Sequence, residues 1–250
     1  MTSGTEIDLN ADLGEGGNHD SALLALVSSA NISCGAHAGS EANIRAALQT
    51  AKQHGVRVGA HPSYPDRDNM GRKVMPMSAQ QLEESLLQQL THLRNLASDL
   101  SVTIAFVKPH GALYNQAAQD LTLATQVANT IRQFDASLTL VGLAGSQLLR
   151  AGQRAGLRTC AEAFVDRAYQ DNGSLVPRSS VGAIIEDTEL AMQQALNIIS
   201  CQRVQTHDGK VIPMAADTLC IHGDTPQALT FARALRRRLD EAGIGIRACH

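Results

Sequence analysis

Six short strings along the chain combine carboxylates, histidines and a lysine, the residue types of acid–base and anion-binding chemistry. They are Asp8-Leu9-Asn10-Ala11-Asp12-Leu13-Gly14-Glu15, Cys34-Gly35-Ala36-His37, His61-Pro62-Ser63-Tyr64-Pro65-Asp66, Lys108-Pro109-His110-Gly111, Glu162 with Asp166-Arg167, and His222-Gly223-Asp224. A lysine at the inner end of an apolar strand needs an anionic partner: a substrate carboxylate, a phosphate or a neighbouring protein carboxylate. His110, behind a proline that fixes the turn, is a natural general acid or base. Strand alternation turns Asp8, Asn10 and Asp12 to one side, where burial is costly unless they are paired or functional. A purely structural polar network is the competing reading, stronger for Asp8 than for Asp12. Glu15 sits in a Gly14-Glu15-Gly16-Gly17 turn whose backbone N–H groups could face an anion. His37 lies between glycines that let a ligand approach the backbone. Cys34, on an apolar strand, reads as core filling rather than as a nucleophile. There is no Walker A string, and the Gly14–Gly17 turn is too loose for a dinucleotide fingerprint.

Each string follows a run that reads as a strand buried on both faces: 6–10, 30–33, 56–60, 104–107, 159–161 and 218–221, with a seventh at 138–142 that has no charged end. Between them lie helical patterns at 41–53, 78–100, 121–134, 146–155, 186–200 and 225–242, long enough to cross over and pack outside. Ser40 and Ser78 are the expected N-caps of the first two, and Gly55 the stop of the first. The α/β repetition predicts one seven-stranded parallel (β/α) barrel domain over residues 1–250, its functional groups gathered at the C-terminal mouth. Two polar, proline- and glycine-rich connections, 61–76 and 166–182, are expected to fold over that mouth.

The formal net charge of −3 and a pI near 6.3 provide no basic face for nucleic acid or anionic lipid. No stretch approaches the ~18 apolar residues of a membrane span, and the first residues lack the pattern of a secretion signal, so a soluble cytoplasmic protein is expected. Five cysteines, an odd number without a C-x-x-C pair, argue against a disulfide framework or a structural zinc site.

The strings, taken together with Ser29–Gly39, Gly59–Arg67, Val107–Asn115, Val141–Ser146, Asp166–Tyr169, Gly173–Arg178 and Ile221–Asp224, closely resemble the family of 5-oxoprolinase A subunits, long labelled lactam-utilisation proteins. The resemblance spans nearly the whole chain, with Ala36 where relatives often carry an aromatic residue. It implies a barrel similar to that of polysaccharide deacetylases. It also implies ATP-dependent opening of the 5-oxoproline lactam to L-glutamate, carried out with two partner subunits, B and C.

A lactam amide is poorly electrophilic, so coupling to ATP makes sense if the amide oxygen is phosphorylated and the ring carbon thereby activated. That chemistry assigns catalytic roles to Asp12, His61, Lys108 and His110: Lys108 and a Mg²⁺ or other divalent ion near Asp12 and Glu15 would neutralise phosphate, while His61 or His110 moves the proton. Asn10, Glu15, His37, Arg67, Glu162, Arg178 and His222 are the expected substrate- or nucleotide-binding residues, with Arg178 or Arg67 clamping the substrate carboxylate. The alternative is a metal-dependent amidase acting without ATP, its ion held by Asp12, His37 and His61. A third reading, a non-catalytic scaffold, fits poorly with so many ionisable groups at one mouth.

Overall fold

The computed structural model of the chain describes residues 5–221 and 228–249. Among these, the strands are β1 (Glu6–Leu13), β2 (Ser29–Ser33), β3 (Arg57–His61), β4 (Ile104–Val107), β5 (Thr139–Leu143), β6 (Arg158–Phe164), β7 (Arg203–Gln205), β8 (Val211–Pro213), β9 (Thr218–Ile221) and β10 (Gly245–Ile246). The helices are α1 (Asp20–Leu24), α2 (Glu41–His54), α3 (Ala79–Asp99), α4 (Gly111–Gln119), α5 (Leu121–Phe134), α6 (Gln147–Arg154), α7 (Thr188–Cys201) and α8 (Ala228–Glu241).

Seven strands close a parallel barrel in the order β1, β2, β3, β4, β5, β6, β9, with β9 returning to pair with β1. The expected strands and helices are all present. Their ends obey local rules: Ser40 and Ser78 each form a complete capping box, with Asn43 and Gln81 reaching back, and Gly55 ends α2 in the left-handed conformation. Leucines, alanines and isoleucines of the helices pack on the outer faces of the strands in one large core, which supplies the bulk of the burial free energy.

Four features escape the periodicity, the first being the five-residue helix α1 (Asp20–Leu24). Helix α4 begins directly after His110, and its Ala112, Leu113, Tyr114, Ala117 and Ala118 are buried. The Pro109-His110-Gly111 turn conceals its start. Gly111 has φ +58°, and a Cβ there would lie 2.5 Å from the Gly71 carbonyl oxygen, so only glycine lets the 61–76 connection cross this helix end. The β7–β8 hairpin, with three residues in each strand, is too short for pattern recognition. Strand β10 adds to the start of β1, pairing Glu6 with Gly245 and Ile7 with Ile246.

The cysteine expectation needs correction. Cys160 and Cys249 form a disulfide across 89 residues of sequence. Cys160 lies on the same face of β6 as Glu162, in a small apolar cluster with Phe106 and Val141. Residue spacing carries no trace of this bond, because the tail reaches Cys160 only after β10 has docked.

Candidate active site

Alternation along β1 turns Asp8, Asn10 and Asp12 to the same side, as the sequence predicts, and each ends in a different environment. Asp8 accepts hydrogen bonds from Ser28 Oγ (2.6 Å), Ser29 Oγ (2.8 Å) and Thr218 Oγ1 (2.7 Å). Burial raises its pKa, and these three hydroxyls oppose the rise. It is a satisfied structural network well below the mouth. Asn10 comes next, donating to Thr218 Oγ1 at 2.8 Å and accepting from Asn31 Nδ2 at 2.7 Å. Asp12 reaches the mouth.

Lys108, just past the end of β4, is buried beside Asp12. Its Nζ lies 2.9 Å from Asp12 Oδ1, 2.8 Å from Glu162 Oε1, 3.3 Å from Asn10 Oδ1 and 3.2 Å from Cys220 Sγ. It also sits over the Phe164 ring, 5.4 Å from the centroid. Burial works against the ammonium charge, but Asp12, Cys220 and Glu162 outweigh it and hold the pKa well above the usual lysine value. Of the three candidate partners open at the sequence level, the structure supplies the protein carboxylates. Glu162 is itself fully buried, and its Oε2 accepts from the Tyr114 hydroxyl at 2.7 Å. Burial, the negative charge of Glu162 and that hydrogen bond all push the Tyr114 pKa well up.

Three histidines converge on the other side of Asp12. His61 Nδ1 is 2.7 Å from the Lys108 carbonyl oxygen, which can only accept, so this nitrogen carries a proton and Nε2 points inward. His110 Nε2 is 2.9 Å from the Met70 carbonyl, so this nitrogen is the donor and Nδ1 points inward. Met70 has φ 52°, a strained conformation for a side-chain-bearing residue that aims this carbonyl at His110. The two inward nitrogens, His61 Nε2 and His110 Nδ1, are 2.9 Å apart. Asp12 Oδ2 lies 3.3 Å from the first and Glu15 Oε1 3.6 Å from the second. His37 completes the cluster: it stacks on His110 with ring centroids 3.9 Å apart, and its Nδ1 meets Ser63 Oγ at 2.9 Å. That hydroxyl donates to the Tyr64 carbonyl, and the opposite ring nitrogen, His37 Nε2, lies 2.9 Å from Glu15 Oε1. Burial is the main cause pulling both His110 and His37 below the usual histidine pKa; for His110 the neighbouring imidazoles add to it, and for His37 Glu15 opposes it.

At this mouth two sets of ligand atoms are compact enough for a metal ion: Asp12, His61 and His110, and Glu15, His37 and His110. The set expected for a metal amidase, Asp12 with His37 and His61, is not one of them; His110 takes the place of His37.

These groups form one end of a cavity of about 740 Å³, in the range of sites for drug-sized ligands. Asp12, His61, Lys108 and His110 all line it, as do Glu15 and Arg178. Both long connections contribute walls, through Arg72 and Val74 on one and Arg167 and Leu175 to Ser179 on the other. Asn10, His37 and Glu162 stand behind the lining, Asn10 and Glu162 against Lys108 and His37 against Glu15. Arg67 is elsewhere: it donates to the backbone carbonyls of Gly35 and Gly39 and fastens the 61–76 connection to the loop after β2. His222 lies outside the described residues. Sequence reasoning missed Tyr114, Arg72 and Arg167 as site residues. Tyr114 lay on a helix that the pattern did not show, and the two arginines sat in loops whose course only the fold decides.

Fold and site together define a parallel (β/α) barrel protein with a histidine–carboxylate–lysine centre at its C-terminal mouth. A peptidoglycan N-acetylglucosamine deacetylase catalytic domain from Eubacterium rectale shares the fold, with a TM-score of 0.55 at 10% identity, covering 100% of this chain and 90% of that one. The chain belongs to the LamB/YcsF family, which it matches over residues 7–250. It is 49% identical to the A subunit of 5-oxoprolinase from Neisseria meningitidis serogroup A, over 97% of this chain and 99% of that protein. The crystal structure of the lactam utilization protein from Thermus thermophilus superposes with a TM-score of 0.91 at 41% identity, covering 98% of this chain and all of that one.

Proposed function

We propose that this chain is the component of an ATP-dependent 5-oxoprolinase that carries the acid–base centre for opening 5-oxo-L-proline to L-glutamate, working with two partner subunits. The observation that carries this reading is the facing pair of His61 and His110, inward nitrogens 2.9 Å apart, set beside Asp12 and Lys108 in the wall of a cavity of about 740 Å³. The near-full-length identity to proteins named as the A subunit of 5-oxoprolinase supports it.

Ring opening adds water across the amide: oxygen attacks the ring carbonyl carbon, the C–N bond breaks, and the nitrogen leaves with a proton. ATP would transfer its terminal phosphoryl group to the amide oxygen, leaving ADP. After C–N cleavage that oxygen carries the phosphoryl group as an acyl phosphate, which a second water hydrolyses to glutamate and inorganic phosphate. The chain's own groups handle the protons. Both inward nitrogens of the pair would be lone pairs if the rings were neutral, and two lone pairs do not rest 2.9 Å apart without a cation between them. A proton taken up between them during the reaction would be positioned for delivery to the departing nitrogen, with Asp12 Oδ2 close enough to stabilise the imidazolium. Lys108 and Asn31 Nδ2 hold Asp12 Oδ1 at 2.9 and 2.8 Å, so that the carboxylate does not turn away. The connections bearing Arg72 and Arg178 wall off the cavity, which limits hydrolysis of an activated lactam by bulk water.

The same lone pairs favour one further reading. His61 Nε2, His110 Nδ1 and Asp12 Oδ2 form a donor set that fits a divalent transition metal better than Mg²⁺, which prefers oxygen ligands. An ion there would polarise the amide carbonyl and activate water, and the chain would then act as an amidase without nucleotide.

One assay separates the two. The chain is incubated with 5-oxoproline alone, then with both partner subunits and ATP, and glutamate and ADP are measured. The proposed function requires negligible turnover by the lone chain and matched glutamate and ADP formation by the assembly. Glutamate formed by the chain alone, without ATP and halted by a chelator, would replace it with the amidase reading.

A further inference from the structure

Arg167 is a buried cation whose protein partners are backbone carbonyls. Only 4% of its surface is exposed. Its Nε donates to the Ala183 carbonyl at 3.2 Å and its Nη2 to the Val176 carbonyl at 2.6 Å. Those bonds tie two points of the 165–187 connection together and use two of the five guanidinium N–H groups. No carboxylate of the described residues forms an ion pair with it. Burial is the main cause that lowers its pKa to about 10; the charge of Arg178 adds to it, the neighbouring charge of Asp166 opposes it, and Arg72 adds a smaller push. All three guanidiniums lie along the lining of the same cavity, beside Phe164, Leu175, Val176 and Pro177.

We propose that Arg167 is the anchor of an oxyanion subsite in this cavity, taking a carboxylate or phosphate group of the ligand. Three unused N–H groups of Arg167 suit a planar or tetrahedral oxyanion gripped at two oxygens. The two carbonyl bonds hold the fork in place before the ligand arrives, so little side-chain entropy is lost on binding. Lys108, already neutralised by Asp12 and Glu162, is a poorer candidate for this task. Arg67, fastened to Gly35 and Gly39, does not line the cavity. The apolar stretch from Leu175 to Pro177 would pack against the uncharged part of the ligand. The subsite stands on geometry alone; naming its occupant as the 5-oxoproline carboxylate or an ATP phosphate rests on the function proposed above.

Calorimetric titration of the full chain and of Arg167→Gln with 5-oxoproline, its carboxylate-free analogue 2-pyrrolidinone, ATP and adenosine tests this. Loss of one charge-assisted hydrogen-bond pair predicts a Kd about tenfold to a hundredfold weaker for the anionic probe that occupies the subsite, with its neutral counterpart unchanged. A drop confined to 5-oxoproline identifies the carboxylate, and one confined to ATP the phosphate. Equal affinity of parent and variant for both anions overturns the proposal, as does failure of the parent to bind either. Should Arg167→Gln not fold, Arg167→Lys decides, since it keeps the charge but loses the fork: at least threefold weaker binding of the same anion supports the subsite and unchanged binding overturns it. Turnover by the assembly separates this from the functional reading. Normal KM values in an Arg167 variant would remove the subsite and leave the function. Arg167-dependent anion binding without any 5-oxoproline turnover would do the reverse.

Discussion

His61 Nε2 and His110 Nδ1 face each other at 2.9 Å, while the opposite nitrogen of each ring is committed to a backbone carbonyl. The carbonyls of Lys108 and Met70 thus dictate which nitrogens are available for chemistry. Because the two rings act on one proton, they should behave as a unit in catalysis. His61→Gln and His110→Gln are each expected to lower kcat of the assembled enzyme by about 10²–10⁴-fold, and the double variant by scarcely more than the worse single one. Multiplicative losses in a double-mutant cycle would show that the rings work separately.

Lys108→Met should be costly to stability as well as to activity. The substitution leaves Asp12 and Glu162 without their shared cation, and uncompensated buried charge of this kind costs about 3–5 kcal/mol. Urea unfolding should show the unfolding free energy falling by that amount, through a lower midpoint with an unchanged slope. Adding Glu162→Gln to the variant should restore part of the loss, since one of the two stranded charges is then removed.

Acidification should destabilise the metal-free protein. His110 and His37 are held below their ordinary pKa of 6.5 in the fold, chiefly by burial. As pH falls through 6.5, the unfolded chain takes up protons at these two positions that the folded chain resists, so folding stability declines until their folded-state values are reached. Buried Asp8, with its raised pKa, acts oppositely above its ordinary value of 3.8, since there the folded state keeps a proton that the unfolded state releases. The melting temperature in the presence of a chelator should therefore drop between pH 7 and pH 5. His110→Asn should flatten that slope, and an unchanged slope would show that His110 does not drive it.

The Cys160–Cys249 bond closes a long loop and pins the tail that follows β10. A loop of this length gives a chain-entropy stabilisation of about 4.5 kcal/mol at most, with about 2–4 kcal/mol typical. Cys249→Ser should lower the unfolding midpoint accordingly in oxidised protein and have little effect under reducing conditions. Alkylation followed by mass spectrometry should find Cys34, Cys201 and Cys220 as the free thiols.

Much of this protein is decided locally. Apolar runs of four to eight residues, serine caps and helix-length crossovers leave few alternatives to a parallel barrel, and the polar end of each run marks the mouth because side chains there have no other elements to meet. The placement of Asp12, His61, Lys108 and His110 on one cavity was legible for that reason. What each does with its charge was not. Lys108 could have met a phosphate, and only packing of β6 against β9 brings Glu162 to it. Arg67 and Arg167 are chemically identical in the sequence and sit in connections of similar composition. One is tied to surface carbonyls and the other is buried in the cavity wall, a difference set by how each loop crosses the mouth. The tautomers of His61 and His110 depend on the Lys108 and Met70 carbonyls, and the disulfide depends on a tail that must first pair with β1. These are relations between groups far apart in the chain, fixed by closure of the barrel, and no local pattern of residue types encodes them.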